Sequence, residues 1–246
     1  MIYIQEKFYI KLCSVSKKYG NATVLDKISL SIPKGKIVSL VGDNGSGKST
    51  LAKIISGEIR PNEGYIDILG SRYDKLTTKL AIKSGISMIY QDLSLDDQLD
   101  VPGNIFLGQE LKRYGMILDF KRMNQVAHEL IDQLEINIPY LSTPVGLLSG
   151  GQRQGVALAR SLYQGANMII ADEPTAAMGI KESKATIDFF EKLPAKGYTV
   201  LMISHNINHV YRISDEIHIM RSGKIIKSVS KENTSISELE GIINES

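Results

Sequence analysis

Cysteine is almost missing from this 246-residue chain, in which Cys13 stands alone. A single thiol cannot close an internal disulfide, which sets aside disulfide-stapled secreted scaffolds and fits a reducing, cytosolic setting. Long apolar runs are missing too. No stretch reaches 18 consecutive apolar residues, so nothing reads as a bilayer-spanning helix. The opening Met1-Ile-Tyr-Ile-Gln-Glu-Lys7 lacks a basic leader before a long apolar core, and the expectation is that it is not a signal peptide. Nor is there an excess of one charge. Twenty-nine Lys and Arg against 27 Asp and Glu leave a formal +2, well mixed along the chain, with no electrostatic footprint for nucleic acid. Repeats, low-complexity tracts and linkers are absent as well. The remainder is ordinary globular composition, 43% hydrophobic, long enough to bury a substantial core as one domain or two closely joined subdomains.

Against these absences stands one dense cluster of glycine. Residues 42–50 read Gly42-Asp43-Asn44-Gly45-Ser46-Gly47-Lys48-Ser49-Thr50, directly after the apolar run Ile37-Val-Ser-Leu-Val41. Three glycines let the backbone fold closely, so that successive N–H groups point inward as an anion nest. A helix starting near Lys48 adds unpaired N–H groups and its positive dipole end. Lys48 reaches outer phosphates as a point charge, and the Ser49 hydroxyl is placed to ligate Mg²⁺. By chance the pattern would arise in roughly one chain in a hundred of this length. The strand before it and the helix after it strengthen the reading of a nucleotide-handling protein.

A second cluster, Leu148-Ser149-Gly150-Gly151-Gln152, begins another helix with apolar Val156, Leu158, Ala159 and Leu162 at helical spacing. Ser149 is a natural N-cap, and Gly150 and Gly151 leave N–H groups open to an anion. A phosphate-gripping loop followed by these five residues resembles the ATPase cassette of ABC transporters. Met168-Ile-Ile-Ala-Asp172-Glu173-Pro174, a short apolar strand ending in paired carboxylates, looks like the family's Walker B segment. With a phosphate loop upstream, Asp172 is placed to hold Mg²⁺ through its water shell and Glu173 to orient or deprotonate the attacking water.

The resemblance assigns three more residues. Gln91, after the strand-like Gly85-Ile-Ser-Met-Ile-Tyr90, matches the family's Q-loop glutamine, a contact to Mg²⁺ or the attacking water. His205, after Thr199-Val-Leu-Met-Ile-Ser204, matches the switch histidine that touches the γ-phosphate. Tyr19, in Lys17-Lys-Tyr-Gly20, matches an aromatic that stacks on adenine; from sequence alone a turn tyrosine is an equal reading. His128, His209 and His218 have no metal-ligand company.

The implied fold is α/β: a P-loop NTPase cassette with a RecA-like core, an antiparallel β subdomain and an inserted helical subdomain. One ATPase domain is expected over 1–246, with the helical subdomain at about 93–165. Strands are expected over 8–13, 25–32, 65–69, 85–90, 167–172, 199–204, 216–220 and 224–229. Helices are expected over 48–57, from about 119 to 134, from Ser149 to a tail at Gln164-Gly165, near 181–193, near 206–213, and as a short segment within 231–246. The stripe Met123, Val126, Ala127, Leu130, Ile131 and Leu134 behind Asp119 reads as helix core.

Finer motifs narrow the resemblance. Gly42-Asp-Asn-Gly, Gly150-Gly-Gln-Arg-Gln-Gly-Val156, Thr175-Ala-Ala-Met-Gly-Ile-Lys-Glu-Ser183 and Ser204-His-Asn-Ile207 resemble the ATPases of ribose, xylose and fructose importers. The implied cofactors are ATP and Mg²⁺. The implied partners are a second cassette facing head to tail, a membrane permease and, indirectly, a periplasmic or extracellular sugar-binding protein. In such a pair Ser149 to Gln152 of one subunit face the nucleotide held by its mate, and the chain sits in the cytoplasm on the inner face of the membrane. Other readings are an ABC ATPase for another substrate, a soluble ABC ATPase, and a regulatory cassette that binds ATP without useful hydrolysis. One departure is clear: the family's usual Ser-Ala-Leu-Asp after Glu-Pro-Thr is here Ala176-Ala-Met-Gly179. Weaker coupling between paired sites is expected, with Gly179 supplying backbone freedom before Ile180.

Overall fold

The computed structural model describes residues 7–176 and 178–244. Met1–Glu6, on which the signal-peptide expectation rests, and Ala177 lie outside the described residues.

Contacts divide the chain into two units. The first comprises Met1–Met88, Asn167–Glu173 and Phe190–Ser246. Its centre is a six-stranded sheet in the order β12-β11-β3-β10-β9-β6. These strands are β3 (Ile37–Val41), β6 (Ile86–Ile89), β9 (Met168–Asp172), β10 (Thr199–Ile203), β11 (Glu216–Arg221) and β12 (Lys224–Ser230). β11, β3, β10 and β9 run parallel, and β12 pairs antiparallel at the edge. β3 and β10 are buried at every position, which is why they read as continuous apolar runs rather than alternating ones.

Burial on opposite faces follows the two-residue period of β3. Val38 and Leu40 join a cluster with Leu51, Ile54 and Ile55 of α1 (Lys48–Ile55), whereas Val41 joins Val210 of α7 (Ile207–Ile213) and Leu239 of α8 (Ile236–Asn244). Each large side chain buried this way contributes roughly 1.5–3 kcal/mol. The cluster on the α1 side also takes Ile10, Leu12, Ile66 and Ile68 from an antiparallel sheet of order β2-β1-β4-β5. Its strands are β1 (Phe8–Tyr19), β2 (Ala22–Pro33), β4 (Glu63–Ile68) and β5 (Ser71–Tyr73), with the short helix α2 (Thr78–Lys83) following. β1 and β2 extend beyond the expected spans because register shifts at several points interrupt their alternation.

The second unit comprises Ile89–Ala166 and Pro174–Phe189. It holds α3 (Val101–Phe106), the two-residue strands β7 (Lys112–Arg113) and β8 (Ile117–Leu118), α4 (Phe120–Gln133), α5 (Gly150–Tyr163) and most of α6 (Ile180–Glu191). The Asp119 carboxylate caps α4 by accepting the Arg122 N–H at 3.2 Å, and Met123, Ala127 and Ile131 face its core. Beside its helices the unit carries the β7–β8 hairpin, for which no strand was expected. The unit also reaches further than 165, because Met178 and Glu182 pack beside Gly150, and Thr186 beside Gly151, at the start of α5.

Candidate functional site

Three neighbouring parallel strands end at the same level. The register pairs Ile203 with both Leu40 and Asp172, so the segments leaving β3, β10 and β9 emerge side by side at the carboxyl edge of the sheet. β3 delivers the glycine loop, β10 delivers Ser204 and His205, and β9 delivers Asp172 and Glu173.

The loop turns tightly before α1, which has Gly47 at φ 103 in the N-cap position. Gly42 (φ 147) and Gly47 are glycines for a reason beyond phosphate access. A Cβ on Gly42 would lie 2.1 Å from the Met220 carbonyl oxygen, and one on Gly47 would lie 2.7 Å from Leu25 and 2.9 Å from the Val24 carbonyl oxygen. Gly45, at φ 83, faces open space and needs glycine only for its left-handed backbone. Asp43 and Asn44 are exposed, while Ser46 is buried and Thr50 half-buried.

The Lys48 ammonium is buried and folded back into the loop, donating to the Gly42 carbonyl at 2.6 Å, the Asp43 carbonyl at 2.8 Å and the Ser46 hydroxyl at 3.3 Å. Burial lowers its pKa, and Glu173, Asp172 and Asp43 act in the opposite sense. These partners hold the charge inside the loop. Ser49 donates from its hydroxyl to Asp172 Oδ1 at 3.3 Å. Burial raises the Asp172 pKa, the Ser49 hydrogen bond lowers it, and neighbouring Glu173 raises it further.

Glu173 stands at φ 50, in the left-handed region, with its N–H donating to the Ile203 carbonyl at 2.9 Å. That bond ties the residue to the end of β10. Its Oε1 lies 3.0 Å from His205 Nδ1, and its Oε2 is buried without a hydrogen-bond partner. An ionised carboxylate only accepts, so the ring carries hydrogen on Nδ1. The neutral ring then presents Nε2 as an acceptor, and the side chain is 68% exposed. Tyr19, at the end of β1, is 49% exposed, with the Lys17 ammonium 5.1 Å from its ring centre. All these residues belong to the first unit, which brings Lys48, Ser49, Asp172, Glu173 and His205 together.

The remaining candidates belong to the second unit. Ser149 caps α5 as a full capping box, its hydroxyl accepting the Gln152 N–H at 3.4 Å while its own N–H donates to Gln152 Oε1 at 2.9 Å. Gln152 Nε2 also donates to the Asn137 carbonyl at 2.7 Å. The Gln152 amide is thus engaged in holding the helix start. Gln91 is exposed on the bend after β6. The segment beyond it is fastened to α5: Arg160 donates to the Leu93 and Ser94 carbonyls at 2.8 and 2.9 Å, and Arg153 pairs with Asp97 at 2.6 Å. Those arginines were invisible as site residues in the sequence, because an Arg on a helix face normally reads as solvated. Buried Gln154, which likewise gave no signal, donates from Nε2 to the carbonyl of Pro174, the residue after Glu173.

The expectation for Gly179 is corrected. It does not lie in the left-handed region, a Cβ there would meet nothing within 4 Å, and its carbonyl accepts the Ser183 N–H at 2.9 Å as the first bond of α6. Its glycine therefore meets no backbone demand.

Comparison with known proteins gives a consistent result. The family described as ABC transporter matches residues 25–176. The xylose/arabinose import ATP-binding protein XylG of Sulfolobus acidocaldarius is 41% identical over 230 residues, covering 94% of this chain and 91% of the relative. The fructose import ATP-binding protein FrcA of Rhizobium meliloti is 36% identical, covering 90% and 88%. The ribose import ATP-binding protein RbsA of Caldanaerobacter subterraneus is also 36% identical, but this chain spans only 44% of it. Among solved structures, a dimeric ATP-binding cassette in a post-hydrolysis state with ADP and Pi superposes with TM-score 0.76 at 27% identity, covering 92% of this chain and all of that one. A nucleotide-free cassette from an ABC transporter gives 0.83 at 25% identity, covering 97% and 96%. With a phosphate loop, paired carboxylates and histidine gathered at the ends of adjacent parallel strands, and with relatives of this identity along nearly its whole length, the chain belongs to the ABC transporter family as one of its ATP-binding cassettes.

Proposed function

We propose that this chain is the ATP-hydrolysing subunit of an importer for a simple sugar, working as a single ATPase domain whose helical part answers to a separate membrane permease. The observation that carries the chemistry is the convergence of Lys48, Ser49, Asp172, Glu173 and His205 at the carboxyl ends of β3, β9 and β10. The sugar rests on the names of the XylG and FrcA relatives, which match this chain almost end to end.

In this reading the ATP phosphates take over the contacts of the Lys48 ammonium, which now bonds to Gly42 and Asp43 carbonyls. The loop N–H groups and the start of α1 hold the phosphate oxygens. Ser49 Oγ and Asp172 Oδ1, 3.3 Å apart, form a hard oxygen pair that fits Mg²⁺, an ion that keeps phosphate and water as its other ligands. Bound there, Mg²⁺ supplies charge neutralisation to the β- and γ-phosphates. Glu173 accepts the proton of the water that attacks the γ-phosphorus, as the bond to the β-phosphate oxygen breaks and ADP leaves. His205 holds Glu173 through Nδ1, and with a hydrogen on Nε2 as well the ring donates from there to an oxygen of the reacting phosphate. Gln91 contacts Mg²⁺ or the water, and Tyr19 stacks on adenine.

Two copies pair head to tail, with Ser149 to Gln152 of each closing over the nucleotide of the other, a twofold arrangement. ATP then favours the closed pair, and hydrolysis releases it. The permease keeps the pair at the inner membrane face, and the sugar-binding protein acts through the permease. ATP turnover is to be measured with the chain assembled on its permease in proteoliposomes. Addition of sugar-loaded binding protein is expected to raise turnover several-fold; identical turnover with and without permease and binding protein would contradict the transport reading.

A further inference from the structure

We infer that the turn between β11 and β12, Ser222–Gly223, is a positioning element for the phosphate loop, with Gly223 as its central residue. Where a loop turns N–H groups toward phosphate, some of its carbonyls face the other way, and each of those that is buried needs a donor on that outer side. For Ser46 the donor is Gly223, whose N–H reaches the Ser46 carbonyl at 3.1 Å. The Gly223 carbonyl in turn accepts the Asp26 N–H at 2.9 Å, and Lys224 pairs with Asp26 at 3.2 Å.

The turn is therefore held by β2 on one side and braces the loop on the other. Close approach repeats around it. A Cβ on Gly223 (φ +77) would lie 2.5 Å from the Val24 carbonyl oxygen, the same carbonyl that excludes a Cβ at Gly47, and Met220 just before the turn excludes one at Gly42. Three backbone segments, 24–26, 42–47 and 220–223, thus meet so closely that Gly42, Gly47 and Gly223 have no room for a Cβ. Ser46 also receives the Lys48 ammonium on its hydroxyl, so displacement of its carbonyl displaces the group that meets the phosphates. By its residues alone, Ser222-Gly223 between two expected strands reads as an ordinary hairpin turn.

The inference rests on the loop being the nucleotide site. The test compares ATP affinity of the parent, Gly223→Ala and Gly197→Ala. Gly197 has a similar backbone at φ +88, but open space around it. Both variants strain a left-handed residue and lose stability. Only Gly223→Ala is expected to bind ATP more weakly, by at least about tenfold, the scale on which a small misplacement of a positioning element acts. A folded Gly223→Ala that binds ATP as tightly as the parent overturns the inference. If that variant does not fold, amide exchange of the parent decides. ATP is expected to slow exchange of the Gly223 N–H about tenfold or more and to leave Gly197 unchanged; no slowing at Gly223 overturns the inference. A parent that binds no ATP overturns the nucleotide reading itself, a distinct result.

Discussion

Glu173 combines a left-handed backbone, a hydrogen bond to His205 and a buried oxygen without a partner. A non-glycine residue held there costs of order 1–3 kcal/mol, and such strain persists where surrounding structure over-determines it. Here the β10 end does so through the Ile203 carbonyl. Glu173→Gln keeps the shape and removes the carboxylate proposed above as the proton acceptor. ATP binding is expected to survive while turnover falls roughly 10²- to 10⁴-fold, the range for a positioned base. Steady-state ATPase alongside nucleotide binding checks this, and parental turnover would remove Glu173 from the role. Lys48, Ser49, Asp172 and Glu173 were legible because their chemistry depends on neighbours within a few residues. Arg153, Arg160 and Gln154 were not, since each acts on a group far along the chain: the Asp97 carboxylate for Arg153, and backbone carbonyls for the other two.

At the level of elements, caps announced themselves. Asp119 and Ser149, both expected at helix starts, each accept a backbone N–H at the start of α4 and α5, where a short oxygen-bearing side chain satisfies an otherwise orphaned donor; Asn206, not singled out in the sequence, does the same for α7. The elements that escaped are those too short to show a period: β5, the β7–β8 hairpin, α2 and α3. β11 carries a different lesson. His218, in an alternating strand, is buried, with Nδ1 2.7 Å from the Ser228 hydroxyl and Nε2 lacking a hydrogen-bond partner. Burial lowers its pKa to about 4. The folded value lies below the unfolded one, so stability is complete above about pH 6.5 and declines as pH falls toward 4. The loss is on the order of 3 kcal/mol across that window. Denaturant unfolding of the parent and His218→Gln from pH 4 to 7 is expected to show a steeper acid loss in the parent. Parallel curves would show that His218 is not the source.

For the molecule as a whole, local pattern located the strands of the six-stranded sheet but not their order. That β3 lies between β11 and β10, and that the first part of α6 belongs with α5, follows from pairings and packing between residues far apart in sequence. The same limit applies beyond one chain, because nothing local states that two copies share a site. The claim of composite sites at which ATP is hydrolysed is tested most directly by mixing a Lys48→Ala chain with a Ser149→Arg chain and measuring ATP turnover of the permease-bound pairs. Each variant alone puts a defect in both sites and is expected to be nearly inactive. The mixed pair has one site with both defects and one with neither, so turnover is predicted to return in part; mixed pairs that form and remain as inactive as either variant alone would contradict the account.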